Sequence, residues 1–330
     1  MKKSIYIFNN GTIKRKDNTI YFEKDEERKI IPVNSVSEIH IFGEVDLNKR
    51  VLEFFTQNKI PLFFYNHYGY YVGSYYPREY LNSGLITLKQ AQFYLNVEER
   101  LFLAKSFVKG AVDNILQNLN YYKKVKGEYL KETIQIIKEK YSEIDSKNDT
   151  LSLMAIEGEI RKLYYEAFNI ILNSGDFLFD KRTKKPPENP LNALISFGNS
   201  LMYTTVLAQI YRTHLDPRIG YLHETNQRSF SLNLDIAEIF KPIIVDRVIF
   251  SLINKGQIKL NHFEEDVEFS YLNEKGRQLF IKAFEEKLLT TIKYKNLGNV
   301  SYRKLIRLEC YKLYKHFLEE EIYKPFIAEW

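Results

Sequence analysis

A single cysteine, Cys310, leaves this chain unable to close an internal disulfide or to build a thiolate metal cluster. It falls within a helical pattern and reads as a small packed residue. No apolar run approaches the ~20 residues that cross a bilayer. The start of the chain is basic and then apolar, but it breaks at Asn9-Asn10-Gly11, too soon for a secretory signal. A cytoplasmic protein with no membrane partner is expected. Internal repeats and low-complexity tracts are absent, which excludes a solenoid. Neither charge sign dominates: 48 Lys+Arg against 42 Asp+Glu give a net charge of +6. That balance permits binding to a polyanion without demanding it. What is present is bulk. The 330 residues, 45% of them hydrophobic, suffice for one large domain or two ordinary ones with a substantial core.

The expected class is α+β in two domains: a strand-rich N-terminal domain over 1–80 and a larger, all-α domain over 81–330. Short β-branched or aromatic runs occur at 5–8, 19–22, 37–42, 61–65 and 70–74, separated by turn signals such as Lys16-Asp17-Asn18 and Asn66-His67-Tyr68-Gly69. One helix interrupts them, since Leu47, Val51, Leu52, Phe54 and Phe55 recur at helical spacing. Pro77 and Gly84 bracket the junction. Beyond it, amphipathic patterns predict helices over 86–126 (broken near Asn96 or Gly110), 131–144, 150–173, 190–213, 234–254, 273–295 and 301–323. The basic, Pro-rich stretch 180–190 cannot be helical and reads as an exposed, mobile loop.

Within the helical part, three groups stand out: Glu157, His223 and Glu238. Glu157 lies beside the apolar stripe formed by Leu153, Ile156, Ile160 and Tyr164. A carboxylate there costs free energy unless it is paired or binds a metal. Two readings are open: a metal ligand, or an i,i+4 pair with Arg161 worth a few tenths of a kcal/mol. Asp235 and Glu238 project from one side of a segment that is apolar around most of its circumference and therefore buried. Asp235 is also explained as an N-terminal acid favoured by the helix dipole, whereas Glu238 lies a turn further in. Pro242 follows and removes a hydrogen bond to the carbonyl of Glu238. His223 closes the turn-rich stretch 215–223. A lone histidine is more often structural than ligating, and His40, His67, His214, His262 and His316 are read that way. Two carboxylates and an imidazole form a donor set suited to a hard divalent cation.

The order of these segments resembles the CRISPR-associated Cas1 integrase family. The resemblance is carried by Met154-Ala155-Ile156-Glu157-Gly158-Glu159-Ile160-Arg161, by Asn189-Pro190-Leu191-Asn192-Ala193-Leu194, and above all by three linked pieces. These are Gly220-Tyr221-Leu222-His223-Glu224, Asp235-Ile236-Ala237-Glu238-Ile239-Phe240-Lys241-Pro242 and Val245-Asp246-Arg247. It implies a β-domain that pairs into a homodimer, followed by a helical catalytic domain. It implies Mg²⁺ or Mn²⁺ held by Glu157, His223 and Glu238, with Asp235 in an auxiliary role. Many members have Asp at the position of Glu238, which is one methylene longer.

The resemblance further implies insertion of short double-stranded DNA into a CRISPR repeat, by attack of a 3′-hydroxyl on a phosphodiester, in a complex with the small Cas2 protein. Metal-dependent endonuclease activity follows when water replaces the hydroxyl. DNA contacts are expected mainly at phosphates, from Arg218, Arg228, Arg247, Arg182, Lys184 and Lys185. Two other readings stay open: a metal nuclease on RNA or branched DNA, and a non-catalytic DNA-binding assembly protein whose acids only form salt bridges.

Overall fold

The computed structural model describes residues 2–329 except 26, 79, 80, 82, 173, 185, 225–229 and 265–268. Two units emerge, Met1–Leu81 and Asn82–Trp330.

In the first unit the strands are β1 (Lys3–Ile7), β2 (Gly11–Lys16), β3 (Thr19–Lys24), β4 (Glu27–Ile31), β5 (Val36–Ile41) and β6 (Val45–Leu47). Helix α1 (Lys49–Asn58), β7 (Leu62–Tyr65) and β8 (Tyr71–Tyr75) follow. Among the described residues they form two four-stranded sheets, ordered β4-β3-β2-β6 and β1-β5-β7-β8. In the second, β5 lies parallel to both β1 and β7. Ile13 and Ile20 of one sheet and Ile7, Ile39 and Leu62 of the other share a single core with Val51 and Phe55 of α1. Asn48 starts α1 by accepting from the amide of Val51, and Lys59 ends it in the left-handed region.

Three of these strands carry no strong local signal. β2 is Gly-Thr-Ile-Lys-Arg-Lys, with only Ile13 fully buried, and β4 buries only Ile31. β6 is three residues long. Pairing makes them strands: β3 is antiparallel to β2 across the Asp17-Asn18 turn, where Asp17 has φ 53°.

The second unit contains α2 (Gly84–Leu95), α3 (Val97–Lys126), α4 (Lys131–Ser142), α5 (Thr150–Glu166), α6 (Phe168–Leu172), α7 (Pro190–Ile210), α8 (Leu232–Phe240), α9 (Arg247–Asn254) and α10 (Glu274–Leu289). A small antiparallel ribbon of β9 (Thr291–Lys293) and β10 (Asn299–Ser301) precedes α11 (Tyr302–Phe317). The unit is helical as expected, with that ribbon as a small addition, and the helix expected over 273–295 ends at Leu289. The predicted break in the first long helix falls at Asn96, whose side chain accepts from the amides of Glu98 and Glu99 and so caps α3. Gly110 instead permits contact: a Cβ there would meet Pro325 at 2.5 Å. Among the described residues no helix is long and apolar enough to cross a membrane.

The helix expected over 234–254 is not continuous. Between α8 and α9 the chain widens into a π-helical turn, Pro242–Asp246, with the amide of Asp246 donating to the carbonyl of Lys241 five residues earlier. Pro242 has no amide hydrogen, so the regular ladder cannot run through it. Two buried amides on α3, one turn apart, serve nearby carbonyls. Asn114 donates to Ile239 at 2.9 Å and Asn118 to Pro242 at 3.0 Å.

The helix expected over 301–323 ends at Phe317, and the described residues after it have no regular secondary structure. Buried Glu309 accepts from the Tyr323 hydroxyl at 2.6 Å and the Phe326 amide at 3.1 Å. Asn114 donates to the Phe326 carbonyl and accepts from the Ala328 amide. The Phe326 ring stacks on Phe240 of α8. The last residues thus strap α8, α3 and α11 together.

Candidate active site

Two of the three singled-out groups meet on one side chain. Arg161 donates through Nε to Glu157 Oε1 at 2.6 Å, and through Nη2 to Glu238 Oε2. Nε and Nη2 form one edge of the guanidinium, the edge that suits a carboxylate pair. The i,i+4 pair foreseen on α5 is therefore real, but the same cation also reaches an acid on α8. Glu238 has a second partner: Lys241 Nζ donates to its Oε1 at 2.6 Å. Lys241 also approaches the Tyr203 hydroxyl at 3.3 Å. Burial alone would raise the Glu238 carboxyl, but Arg161 and Lys241, with help from His223, hold it down at about 2. Burial likewise disfavours the charge on Arg161 and Lys241, and the acids outweigh it in both cases.

The third group is positioned by Asp235, which is fully buried. Its Oδ2 accepts from the amides of Tyr221 (2.6 Å) and Leu222 (3.1 Å). Its Oδ1 accepts from the amide of His223 (3.0 Å) and faces His223 Nδ1 at 2.7 Å. One carboxylate thus folds three consecutive residues around itself and orients the imidazole. An ionised carboxylate can only accept, so Nδ1 carries the proton and Nε2 is left as the basic nitrogen. Burial works against protonation of His223, but the hydrogen bond and charge of Asp235 raise its pKa overall. The charge of His223 also acts on Glu238, which puts the imidazole in the neighbourhood of the acid pair.

The loop before His223 is fixed from several sides. Buried Gln90 of α2 accepts from the amide of Asp216 and donates to its carbonyl. Arg100 of α3 donates to the carbonyl of Tyr221 at 3.2 Å. Gly220 lies so close to Ser231 that a Cβ would approach it at 2.8 Å, and the Gly220 amide donates to the Ser231 hydroxyl. Only glycine allows the loop to lie this near the start of α8.

Among the described residues no three His, Cys, Asp or Glu side chains stand in a metal-binding cluster as they are. Cations occupy the carboxylates instead: Arg161 sits between Glu157 and Glu238, and Lys241 holds the other oxygen of Glu238. The donor chemistry nevertheless fits a hard divalent ion. Two carboxylates from different helices converge on a single positive centre, and a carboxylate-oriented imidazole stands nearby. Arg161 Nη1 is buried and has no hydrogen-bond partner among the described residues.

The basic residues proposed for DNA divide by position. Lys184 is exposed overall, although its ammonium is partly desolvated. Its pKa is lowered by burial and by the charges of Arg182 and Lys241, while Glu238 and Glu157 act on it in the opposite sense. It therefore stands in the field of the acid pair. Arg182 is part-buried and tied to α7, donating to Asn192 at 3.0 Å and Ser196 at 2.9 Å. Asn192 also donates to the Lys181 carbonyl. This part of the 180–190 stretch is anchored to α7, which corrects the freely exposed loop expected. Arg218 grips Asp216 at its own turn. Arg247 lies over the Tyr121 ring at 4.0 Å. Lys185 and Arg228 fall outside the described residues.

Sequence reasoning missed four groups at or beside the site: the bridging role of Arg161, Lys241, Asp246 and the α3 amides. Burial raises the Asp246 carboxyl to about 7, against the pull of Arg161, and Tyr164 is its side-chain partner. Lys241 sits three residues after Glu238, a spacing that could have flagged it. Asn114 and Asn118, at i,i+4 in the buried part of α3, were a second available signal.

A family model described as CRISPR associated protein Cas1 matches residues 5–286. A relative from Thermodesulfovibrio yellowstonii, named a CRISPR-associated endonuclease Cas1, is 57% identical over the full length of both chains. One from Clostridium perfringens with the same name is 50% identical, again over the whole of both. A solved Cas1 protein from Thermotoga maritima superposes with a TM-score of 0.88 at 48% identity, covering 99% of this chain and 100% of that one. This chain belongs to the Cas1 family of CRISPR-associated proteins.

Proposed function

We propose that this protein is a divalent-metal-dependent DNA endonuclease and integrase of CRISPR adaptation, joining short DNA segments to the edges of a CRISPR repeat. The observation that carries the reading is the convergence of Glu157 and Glu238 on one cation, with His223 oriented by Asp235 beside them. The relatives named as endonucleases, aligned over their full lengths, support it.

Glu157, Glu238 and His223 Nε2 would hold Mg²⁺ or Mn²⁺. When bound, that ion polarises a phosphodiester and stabilises charge on the departing oxygen. The residues of the chain do the rest. Asp235 keeps the imidazole proton on Nδ1, which leaves Nε2 as the nitrogen able to bind the ion. Lys184 and Lys241 supply positive charge for an incoming phosphate. In the metal-free protein Arg161 spaces the two acids. A DNA 3′-hydroxyl as nucleophile gives strand transfer, and water gives hydrolysis. The N-terminal unit is assigned to homodimer formation, with the small Cas2 protein as the further partner, acting in the cytoplasm.

The test separates binding from chemistry. Glu157→Ala, His223→Ala and Glu238→Ala are each assayed with Mn²⁺ for duplex binding, for cleavage, and for strand transfer into a repeat-containing plasmid. Loss of about 100-fold or more in cleavage and transfer, with binding retained, is expected. Unchanged cleavage in all three variants would remove the site. Cleavage without any strand transfer by the parent, with Cas2 present, would leave a nuclease with no integration role.

A further inference from the structure

The acid pair carries its own counter-charge. Glu157 and Glu238 contribute two negative charges, and Arg161 and Lys241 contribute two positive ones. All but Glu157 are nearly buried: the side chains of Arg161, Glu238 and Lys241 are 12%, 7% and 5% exposed. A divalent cation would need the oxygens that the guanidinium now holds. With Arg161 still in place, it would bring two uncompensated positive charges into a site of low polarity, an arrangement strongly disfavoured. Two changes relieve this: the guanidinium must leave the carboxylates, and an anion must arrive to receive it. A DNA phosphate meets the second need, because its oxygens match the planar donors of arginine. Nη1 of Arg161 is buried and without a partner among the described residues, a donor left unsatisfied in this state and one that a phosphate oxygen would satisfy once the guanidinium moves.

We propose that Arg161 is an intramolecular competitor for the cation site, holding Glu157 and Glu238 together in the metal-free protein and passing to phosphate when DNA and metal arrive. Cation and DNA then bind with positive coupling, each weakly alone and tightly together. Linkage requires the effect to be reciprocal, with the same factor in both directions. The device would keep a nuclease closed to cations until a substrate is present. It rests on the metal reading given above.

The test reads binding rather than turnover. Mn²⁺ binding to the full-length protein is followed by the loss of the free-ion electron paramagnetic resonance signal, with and without a short duplex bearing dideoxy 3′ ends. The parent is compared with Arg161→Met and Glu157→Gln. The parent should bind Mn²⁺ at least about tenfold more tightly when the duplex is present, within the usual range of coupling. Arg161→Met should bind Mn²⁺ about tenfold more tightly than the parent without DNA, and its response to DNA should fall below about threefold. Mn²⁺ should also raise its melting temperature more than that of the parent.

Equal or weaker Mn²⁺ binding by Arg161→Met would overturn the proposal, as would a parent affinity indifferent to DNA. If Arg161→Met does not fold, Arg161→Lys replaces it, since one ammonium cannot span both acids edge-on. That variant should tighten Mn²⁺ by about threefold or more, and no change would count against the proposal. If neither the parent nor Glu157→Gln takes up Mn²⁺ with or without DNA, the metal reading itself falls. If uptake by the parent depends on Glu157 but weakens in Arg161→Met, only the competition falls.

Discussion

The two units treat buried polar groups in opposite ways. Among the described residues of the N-terminal unit, only Glu38 and His40 are buried and polar or charged, and both lie on β5. Ser4 donates to Glu38 at 2.6 Å, and His40 meets the Tyr65 hydroxyl at 2.8 Å while stacked between Tyr6 and Phe63. The rest of that core is aliphatic and aromatic. The helical unit instead buries Asp235, Glu238, Lys241 and Asp246 within twelve positions of one another, around the π-helical turn. Buried charge is a poor source of stability even when paired. Keeping so much of it in one place, in contact with an interrupted helix, fits the chemistry proposed for this site better than a role in stability. The same contrast separates residues whose loss should cost only folding from residues whose loss should cost function.

The sharpest challenge to that contrast is Asp235→Ala. It removes the acceptor shared by three backbone amides and an imidazole. A loss of about 3 kcal/mol or more in stability is expected, because buried donors are left unsatisfied. Metal affinity or activity should fall by about 10- to 100-fold, as for other groups that orient a ligating histidine. Chemical denaturation and the Mn²⁺ titration check the two parts. A variant that lost stability but kept a parental titration would make Asp235 purely structural.

Ile39→Ala is the counterpart in the N-terminal unit. Ile39 is fully buried on β5, so a cost of about 2 to 5 kcal/mol is expected. Cleavage per folded molecule should stay at the parental level, measured below the melting transition. A fall in specific activity would show that the strand-rich core reaches into the chemistry.

Asp246→Asn gives a smaller effect with a sign. The folded carboxyl is raised to about 7 by burial, against an ordinary value of 3.8. The native state therefore keeps a proton that the unfolded chain releases between these values. Stability falls as pH rises through that window and then levels off above about 7. The asparagine variant lacks this loss. It should match the parent near pH 4 and exceed it by about 2 to 4 kcal/mol at pH 8. Denaturation curves at the two pH values decide, and a constant difference would contradict the assignment. Smallest of all, Arg218→Ala should change stability by no more than about 0.5 kcal/mol, since its partner Asp216 is two residues away in the same turn and the arginine is exposed.

Much of the fold was legible where periodicity is local. β5, β7 and α1 follow from runs of Ile, Phe and Val at strand or helix spacing, and the N-terminus of α7 follows from Asn189-Pro190, which caps and starts it. β2 was not legible, because Ile13 alone faces the core and its neighbours are Lys and Arg. The break at Asn96 was one of two choices. Capping by its side chain decided it, while Gly110 served contact with Pro325. The helix expected through 254 failed at Pro242, whose effect depended on the buried amides of α3 to serve carbonyls around the turn.

By itself the sequence determined that strands precede helices and that Glu157, His223, Asp235 and Glu238 are acidic or imidazole groups set in apolar or turn-rich surroundings, because side-chain spacing encodes which face is buried. Only the tertiary structure decided that Arg161 reaches across 77 positions to Glu238, that Lys241 closes on the same carboxylate, and that Asp235 gathers the loop of His223. Partnership between buried charges depends on which helices lie side by side, and no local pattern of residues records that.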